Sequence, residues 1–145
     1  MINAEIDEST KVWFPELSNI GKCRIGRDGT IHSHVWIADG VDIGHNVRIQ
    51  AFSFIPTGVK IGNNVFIGPR VTFTNDKYPP ADMNNWQATL VMDNVSIGAG
   101  AVILPGIVLC EGAKIGAGAV VTKNVPPGET WVGNPAKKLE RKVNT

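Results

Sequence analysis

The chain has 145 residues, 43% of them hydrophobic, and its 14 Lys and Arg nearly balance 13 Asp and Glu for a net charge of +1. That length sets one domain, residues 1–145, and the balanced charge gives no reason to expect nucleic acid or another polyanion as partner. Cys23 and Cys110 stand in no metal or redox spacing, and no run resembles a signal peptide or is apolar enough to span a membrane, so free thiols and a cytoplasmic, membrane-free protein are expected.

Residues 1–19, with Trp13, Phe14, Pro15 and Leu17, predict a cap and an irregular first coil. Coils are predicted over 20–125, because from Ile25 an aliphatic or aromatic residue recurs every sixth position. These are Ile25, Ile31, Ile37, Ile43, Ile49, Ile55, Ile61, Ile67 and Phe73, then Val91, Ile97, Ile103, Leu109, Ile115 and Val121. A fixed short repeat marks a solenoid. Six residues hold a short strand and a corner, not a helix. Four positions after each large residue comes a smaller one, such as Val35, Val41, Ser53 or Ala101, and the turns are rich in Gly, Asn and Asp, which tolerate positive φ. Three hexads per coil give an all-β parallel β-helix whose strands stack at roughly 4.8 Å. Connections between parallel strands usually favour the right hand, so the period does not set the handedness.

The period breaks between Phe73 and Val91. Residues 74–90 hold Tyr78, Pro79, Pro80 and Trp86, and Pro79 and Asn85 fall where inward aliphatics should be. An extruded loop is predicted, the place on a rigid solenoid where binding residues are expected. Pro126-Pro127-Gly128 then stops the ladder, and 126–145 form a C-terminal arm, in which Ala136 to Lys142 have helix-forming composition and predict a short helix or arm.

The pattern I-G-x-x-V-x resembles the hexapeptide repeat of left-handed parallel β-helix acyltransferases over roughly residues 20–125. The run Val65 to Pro79, containing Asn75-Asp76-Lys77-Tyr78-Pro79, is similar to that of sugar-nucleotide N-acetyltransferases. So are Ile97-Gly98-Ala99-Gly100-Ala101, Gly116-Ala117-Gly118-Ala119 and Gly133-Asn134-Pro135-Ala136-Lys137. The resemblance implies a left-handed coil, acetyl-CoA as co-substrate, and a homotrimer with sites between chains. It implies a nucleotide-linked (dTDP or UDP) amino-deoxy sugar as acceptor, in surface-polysaccharide synthesis.

Acyl transfer to an amine needs a positioned neutral amine, a proton acceptor and donors for the developing oxyanion. Of His32, His34 and His45, His34 matches the family position, as base or substrate-orienting group, and Asn75 matches a hydrogen-bonding group on the sugar or its amine. Some relatives have no His there and leave the proton to the departing CoA thiolate; others carry a His one coil later, where this chain has Phe52. Asp76, Tyr78 and Trp86 of the loop are assigned to the acceptor. Backbone N–H groups near Ala99 and Ala117 would meet the pantetheine arm, and Lys123, Lys137, Lys138 and Arg141 would meet the CoA phosphates, with Lys137 of Asn-Pro-Ala-Lys foremost. Small residues at the first pair equally serve coil packing, and the cations equally form a solvated charge run. Trp36 should point outward, toward a partner chain or a ligand. The three His are two and eleven residues apart and match no metal-ligand spacing, so no metal is expected. Two rival functions are acetylation of another small acceptor, an antibiotic or a sugar hydroxyl, and a non-catalytic assembly module that would not bind acetyl-CoA.

Overall fold

The computed structural model describes residues 2–80 and 82–140. It is a left-handed parallel β-helix of about seven turns with almost no helix. Each coil has three short strands, and every sheet is built from equivalent strands of successive coils. The first face stacks Glu5–Ile6, Arg24–Ile25, Asp42–Ile43, Val59–Ile61, Thr89–Val91 and Val108–Leu109. The second stacks Lys11–Val12, Thr30–Ile31, Arg48–Ile49, Phe66–Ile67, Ser96–Ile97, Lys114–Ile115 and Thr130–Val132. The third stacks Asn19–Ile20, Trp36–Ile37, Phe54–Ile55, Thr72–Phe73, Val102–Ile103 and Val120–Val121.

The hexad places its two inward residues on either side of one outward residue, the period-2 alternation of a strand. Every large hexad residue from Ile25 to Val121 is buried, and Ile stands over Ile in register, as in Ile31, Ile49, Ile67 and Ile97. Val35, Val47, Val65, Val71, Ala101 and Ala119 fill the second inward row. Cys23, Thr89 and Ile107 join the interior as well. Burial, with the Asp39 charge adding, pushes the Cys23 thiol up to about 11, so it stays protonated and is no nucleophile.

Positive φ falls on the third residue after the large inward ones, except after Phe73 and Val121. On the first–second edge these are Asp28, Asn46, Asn64, Asn94 and Gly112; on the third–first edge they are Gly40, Gly58 and Gly106. The glycines directly after the inward aliphatics have another reason to be there. A Cβ on Gly98 would stand 2.6 Å from the Ala117 backbone nitrogen, and one on Gly68 2.8 Å from that of Ala99. Coils meet there backbone to backbone, and any side chain would push them apart.

The loop is extruded. Lys60 pairs with Leu90, Phe66 with Ser96 and Thr72 with Val102, so the coils before and after it stack directly. The excursion itself runs over 74–88, because Thr89–Val91 is already back in the wall. At the C-terminus, where Ala136 to Lys142 predict a short helix or arm, the described part is an arm and not a helix. Lys137–Lys138 is instead a strand, antiparallel to Trp131 and Val132, and Lys138 pairs with Glu129 at 3.5 Å. Composition favoured helix, but the exposed end of the second face offered unpaired backbone groups, and covering that edge prevailed.

Candidate active site

The second–third edge gathers His34, Ala99, Ala117 and Lys137 of the sequence-selected residues. His34 is its corner residue in the second coil, with φ of 57°. Phe52 and Arg70 follow in the next two coils at φ of 65° and 58°, then Gly100 and Gly118. Ala99 and Ala117 directly precede those two glycines. A Cβ on Gly100 or on Gly118 would meet nothing within 4 Å, so the upper half of this edge is open backbone. The stitching along it is regular: Gly100 N–H donates to the Pro69 carbonyl at 2.9 Å and Gly118 N–H to the Ala99 carbonyl at 2.8 Å. From His34 to Gly118 is four interstrand spacings, about 19 Å at roughly 4.8 Å each.

Lys137 caps the same edge. It pairs with Val132, and Val132 lies over Gly116, the neighbour of Ala117. Lys137 is exposed and makes no ion pair among the described residues, unlike Lys138. Lys123 sits elsewhere, two residues past Val121 and at the third–first edge. Arg141 lies outside the described residues.

The loop also leaves from the third–first edge. Within one chain, Asn75, Asp76, Tyr78 and Trp86 are therefore held one face away from His34. Thr74 Oγ1 donates to the Ile103 carbonyl at 3.1 Å, and Gln87 N–H to the Asn75 carbonyl at 3.4 Å, which closes the neck. Beyond the neck, Asp82 caps a single 3₁₀ turn, Met83–Asn85, by accepting from Asn84 N–H at 3.0 Å. Lys77, Tyr78, Pro80, Asp82, Asn85 and Gln87 line a cleft. Tyr78 is 77% exposed and Trp86 37%. Asp76 Oδ1 is buried with no hydrogen-bond partner among the described residues, an arrangement that favours an incoming donor.

The other histidines have local duties. His45 Nδ1 accepts from Arg27 N–H at 3.0 Å, and the His45 backbone N–H donates to Asn63 Oδ1 at 2.7 Å, so it is a rung of the first–second edge. His32 stacks on Trp13 at 6.5 Å. Trp36 points outward, 53% exposed, edge-on to Phe54 at 5.4 Å. With Val102 and Val120 above them, these rings make the outer row of the third face mostly apolar. Among the described residues, no three His, Cys, Asp or Glu side chains converge as a metal-binding group, and no helix is long and apolar enough to cross a membrane. Single-chain reading missed the column of Phe52 and Arg70 with His34. Their 18-residue spacing was the available signal.

A family model described as bacterial transferase hexapeptide (six repeats) matches residues 40–75 and 88–123, the two stretches that flank the loop. A serine acetyltransferase of Buchnera aphidicola is 48% identical over 56 residues, 39% of this chain and 22% of that protein. The chain spans only about a quarter of the length of the curated relatives it matches. Among solved structures, PerB of Caulobacter crescentus in complex with CoA and GDP-perosamine is similar with a TM-score of 0.71 at 20% identity, over 96% of this chain and 58% of that one. WeeI of Acinetobacter baumannii is similar with a TM-score of 0.70 at 27% identity, over 92% and 57%. The hexad core and the matched repeats together identify the chain as a bacterial transferase hexapeptide-repeat protein.

Proposed function

We propose that the chain transfers the acetyl group of acetyl-CoA to the amine of a nucleotide-linked (dTDP or UDP) amino-deoxy sugar, a cytoplasmic step that supplies surface-polysaccharide synthesis. The observation that carries this reading is the single open edge on which His34, Ala99, Ala117 and Lys137 line up. Its length suits an extended pantetheine arm, its bare backbone permits close approach, and Lys137 at its upper end suits a phosphate. PerB, similar in fold, was solved with CoA and a nucleotide-linked sugar, which supports the same class of ligands here.

The working unit is a homotrimer with sites between chains. The apolar outer row of the third face is the contact surface, and the assembly brings the loop of one chain to the His34 edge of its neighbour. Asn75 and Asp76 then hold the acceptor sugar and its amine, and Tyr78 and Trp86 flank it. The neutral amine attacks the thioester carbonyl. A C–N bond forms and the C–S bond breaks, His34 takes the proton released from nitrogen and hands it to the departing sulfur, and CoA leaves as the thiol. Lys123, on the third–first edge, and Arg141 complete the cation set for the CoA phosphates.

The test is CoA thiol release over a panel of dTDP- and UDP-linked 3-amino and 4-amino sugars, with free amino sugars and aminoglycosides beside them. Release only with a nucleotide-linked sugar supports the reading, and release with aminoglycosides alone replaces it. His34→Ala is expected to lower turnover at least about tenfold, about 1.4 kcal/mol of transition-state stabilisation, with CoA affinity kept. Full turnover would remove His34 from the mechanism and leave the CoA sulfur as proton acceptor. Lys137→Ala is expected to raise the CoA dissociation constant measured by calorimetry, and an unaltered constant would remove Lys137 from the cofactor site.

A further inference from the structure

The three edges treat the positive-φ corner differently. Two of them use only residues suited to it: Asp28, Asn46, Asn64, Asn94 and Gly112 on one, Gly40, Gly58 and Gly106 on the other. Asn and Asp offset the cost by local hydrogen bonding and Gly escapes it. The second–third edge alone carries three consecutive bulky residues there, His34, Phe52 and Arg70. The coil does not require them, since Gly100 and Gly118 make the same corner in the next two coils. A bulky side chain kept in a disfavoured conformation points to a role beyond the fold.

The contacts show that role. The rings of His34 and Phe52 are stacked, with centroids 4.7 Å apart and planes within 10°. From the next coil, the Arg70 guanidinium lies 5.7 Å from the centre of the Phe52 ring. The Phe52 backbone is pinned on both sides: its N–H donates to the Ser33 carbonyl at 3.4 Å, and Arg70 N–H donates to the Ala51 carbonyl at 2.9 Å. The His34 imidazole, by contrast, makes no side-chain hydrogen bond among the described residues and is exposed. A proton acceptor is usually oriented by a hydrogen bond from its second nitrogen. Here the stacked phenyl ring takes that part and leaves both ring nitrogens free.

We propose that Phe52 is a positioning residue for acetyl transfer, its ring fixing the plane in which the His34 imidazole meets the acceptor amine. The proposal rests on the acetyl-transfer reading above and adds to it a residue that never touches the reacting atoms. Arg70 backs the phenyl ring from the far side, which keeps the stack compact.

The test compares Phe52→Gly and Phe52→Tyr, in the presence of His34 and in the His34→Ala background. Glycine suits this corner, so Phe52→Gly keeps its fold, as its thermal melt reports. Two readouts follow. Ring-current shielding of the His34 ring protons by NMR reports the stack without any substrate. Thiol release from acetyl-CoA with the nucleotide-linked amino-sugar panel reports kcat and KM. Phe52→Gly is expected to lose the shielding and to lower kcat about three- to tenfold with KM for acetyl-CoA unchanged. Phe52→Tyr should restore both, and Phe52→Gly should cost nothing further once His34 is Ala. An unshielded His34 ring in the unsubstituted protein overturns the stack. Unchanged kcat in Phe52→Gly, or an equal loss in the His34→Ala background, overturns the positioning role while acetyl transfer stands. A shielded ring in a protein that releases no thiol with any acceptor overturns acetyl transfer, and with it the part assigned to Phe52.

Discussion

Ile67→Ala is expected to lower the free energy of unfolding by about 2–5 kcal/mol. Ile67 is 0% exposed on the second face, stacked between Ile49 of the coil below and Ile97 of the coil above. The cost has two parts, the lost burial of the removed carbons and the cavity they leave. The cavity cannot collapse easily here. Gln50 N–H bonds to the Ile67 carbonyl at 2.9 Å and Gly68 N–H to the Ile97 carbonyl at 2.8 Å, so hydrogen bonds hold the coil spacing. Gly68 is already in backbone contact with Ala99, so the coils cannot slide closer. In a solenoid each coil is stabilised by its neighbours, so a gap in the fourth coil weakens both halves at once. Urea unfolding of Ile67→Ala beside Ile67→Val, for which about 0.5–1.5 kcal/mol is expected, gives the measurement. Equal and small losses would mean that the interior repacks and that the stacked column is not the source of stability.

Replacing residues 74–88 by Pro-Thr-Gly is expected to abolish acetyl transfer while the β-helix remains folded. That tripeptide is the connection one coil earlier, Pro56-Thr57-Gly58, which takes the chain from Ile55 on the third face to Val59 on the first. The loop bridges the same two faces, from Phe73 to Thr89. Because the coils on either side pair directly at all three faces, the excursion holds nothing together, and shortening it lowers the closure entropy. Asn75, Asp76, Tyr78 and Trp86 go with it, but the His34 edge is untouched. The variant should therefore still bind CoA by calorimetry and show no turnover with any nucleotide-linked amino sugar. Persistent turnover would move the acceptor site off the loop, and loss of CoA binding would place the loop at the cofactor instead.

Much of this could be read from residue order because the repeat is self-reporting. A six-residue period in large aliphatics has few structural solutions, and each further Ile in register narrows them. The loop was equally legible, since Pro79 and Asn85 cannot take inward positions. Its end was not: Thr89 is polar, and only the stack shows it inside the wall at 1% exposure. At the C-terminus the composition left helix and arm both open, because Ala, Lys, Leu and Glu record local preference, whereas the open edge above Trp131 is a tertiary fact. The column of His34, Phe52 and Arg70 falls between these cases. Its 18-residue spacing is in the sequence, but nothing in a linear reading tells which corner side chains touch. The repeated glycines were legible as a motif but not as a cause, because a Cβ clash with the next coil belongs to the stack.

The threefold division of each coil also governs how this chain tolerates changes in length. Corresponding strands of successive regular coils recur at 18-residue intervals, as Ile25 pairs with Ile43. Adding or removing one whole coil below the loop would lengthen or shorten the rod and leave every residue above it on its own face. A single added hexad would instead turn everything above it by a third of a revolution. The loop would then emerge from the edge that now carries the Asn and Asp corners, and Ala99 and Ala117 would leave the line of His34. Length variation along this rod is therefore quantised: whole coils keep every residue above them on its own face and single hexads do not, unless the extra residues leave the wall as residues 74–88 do.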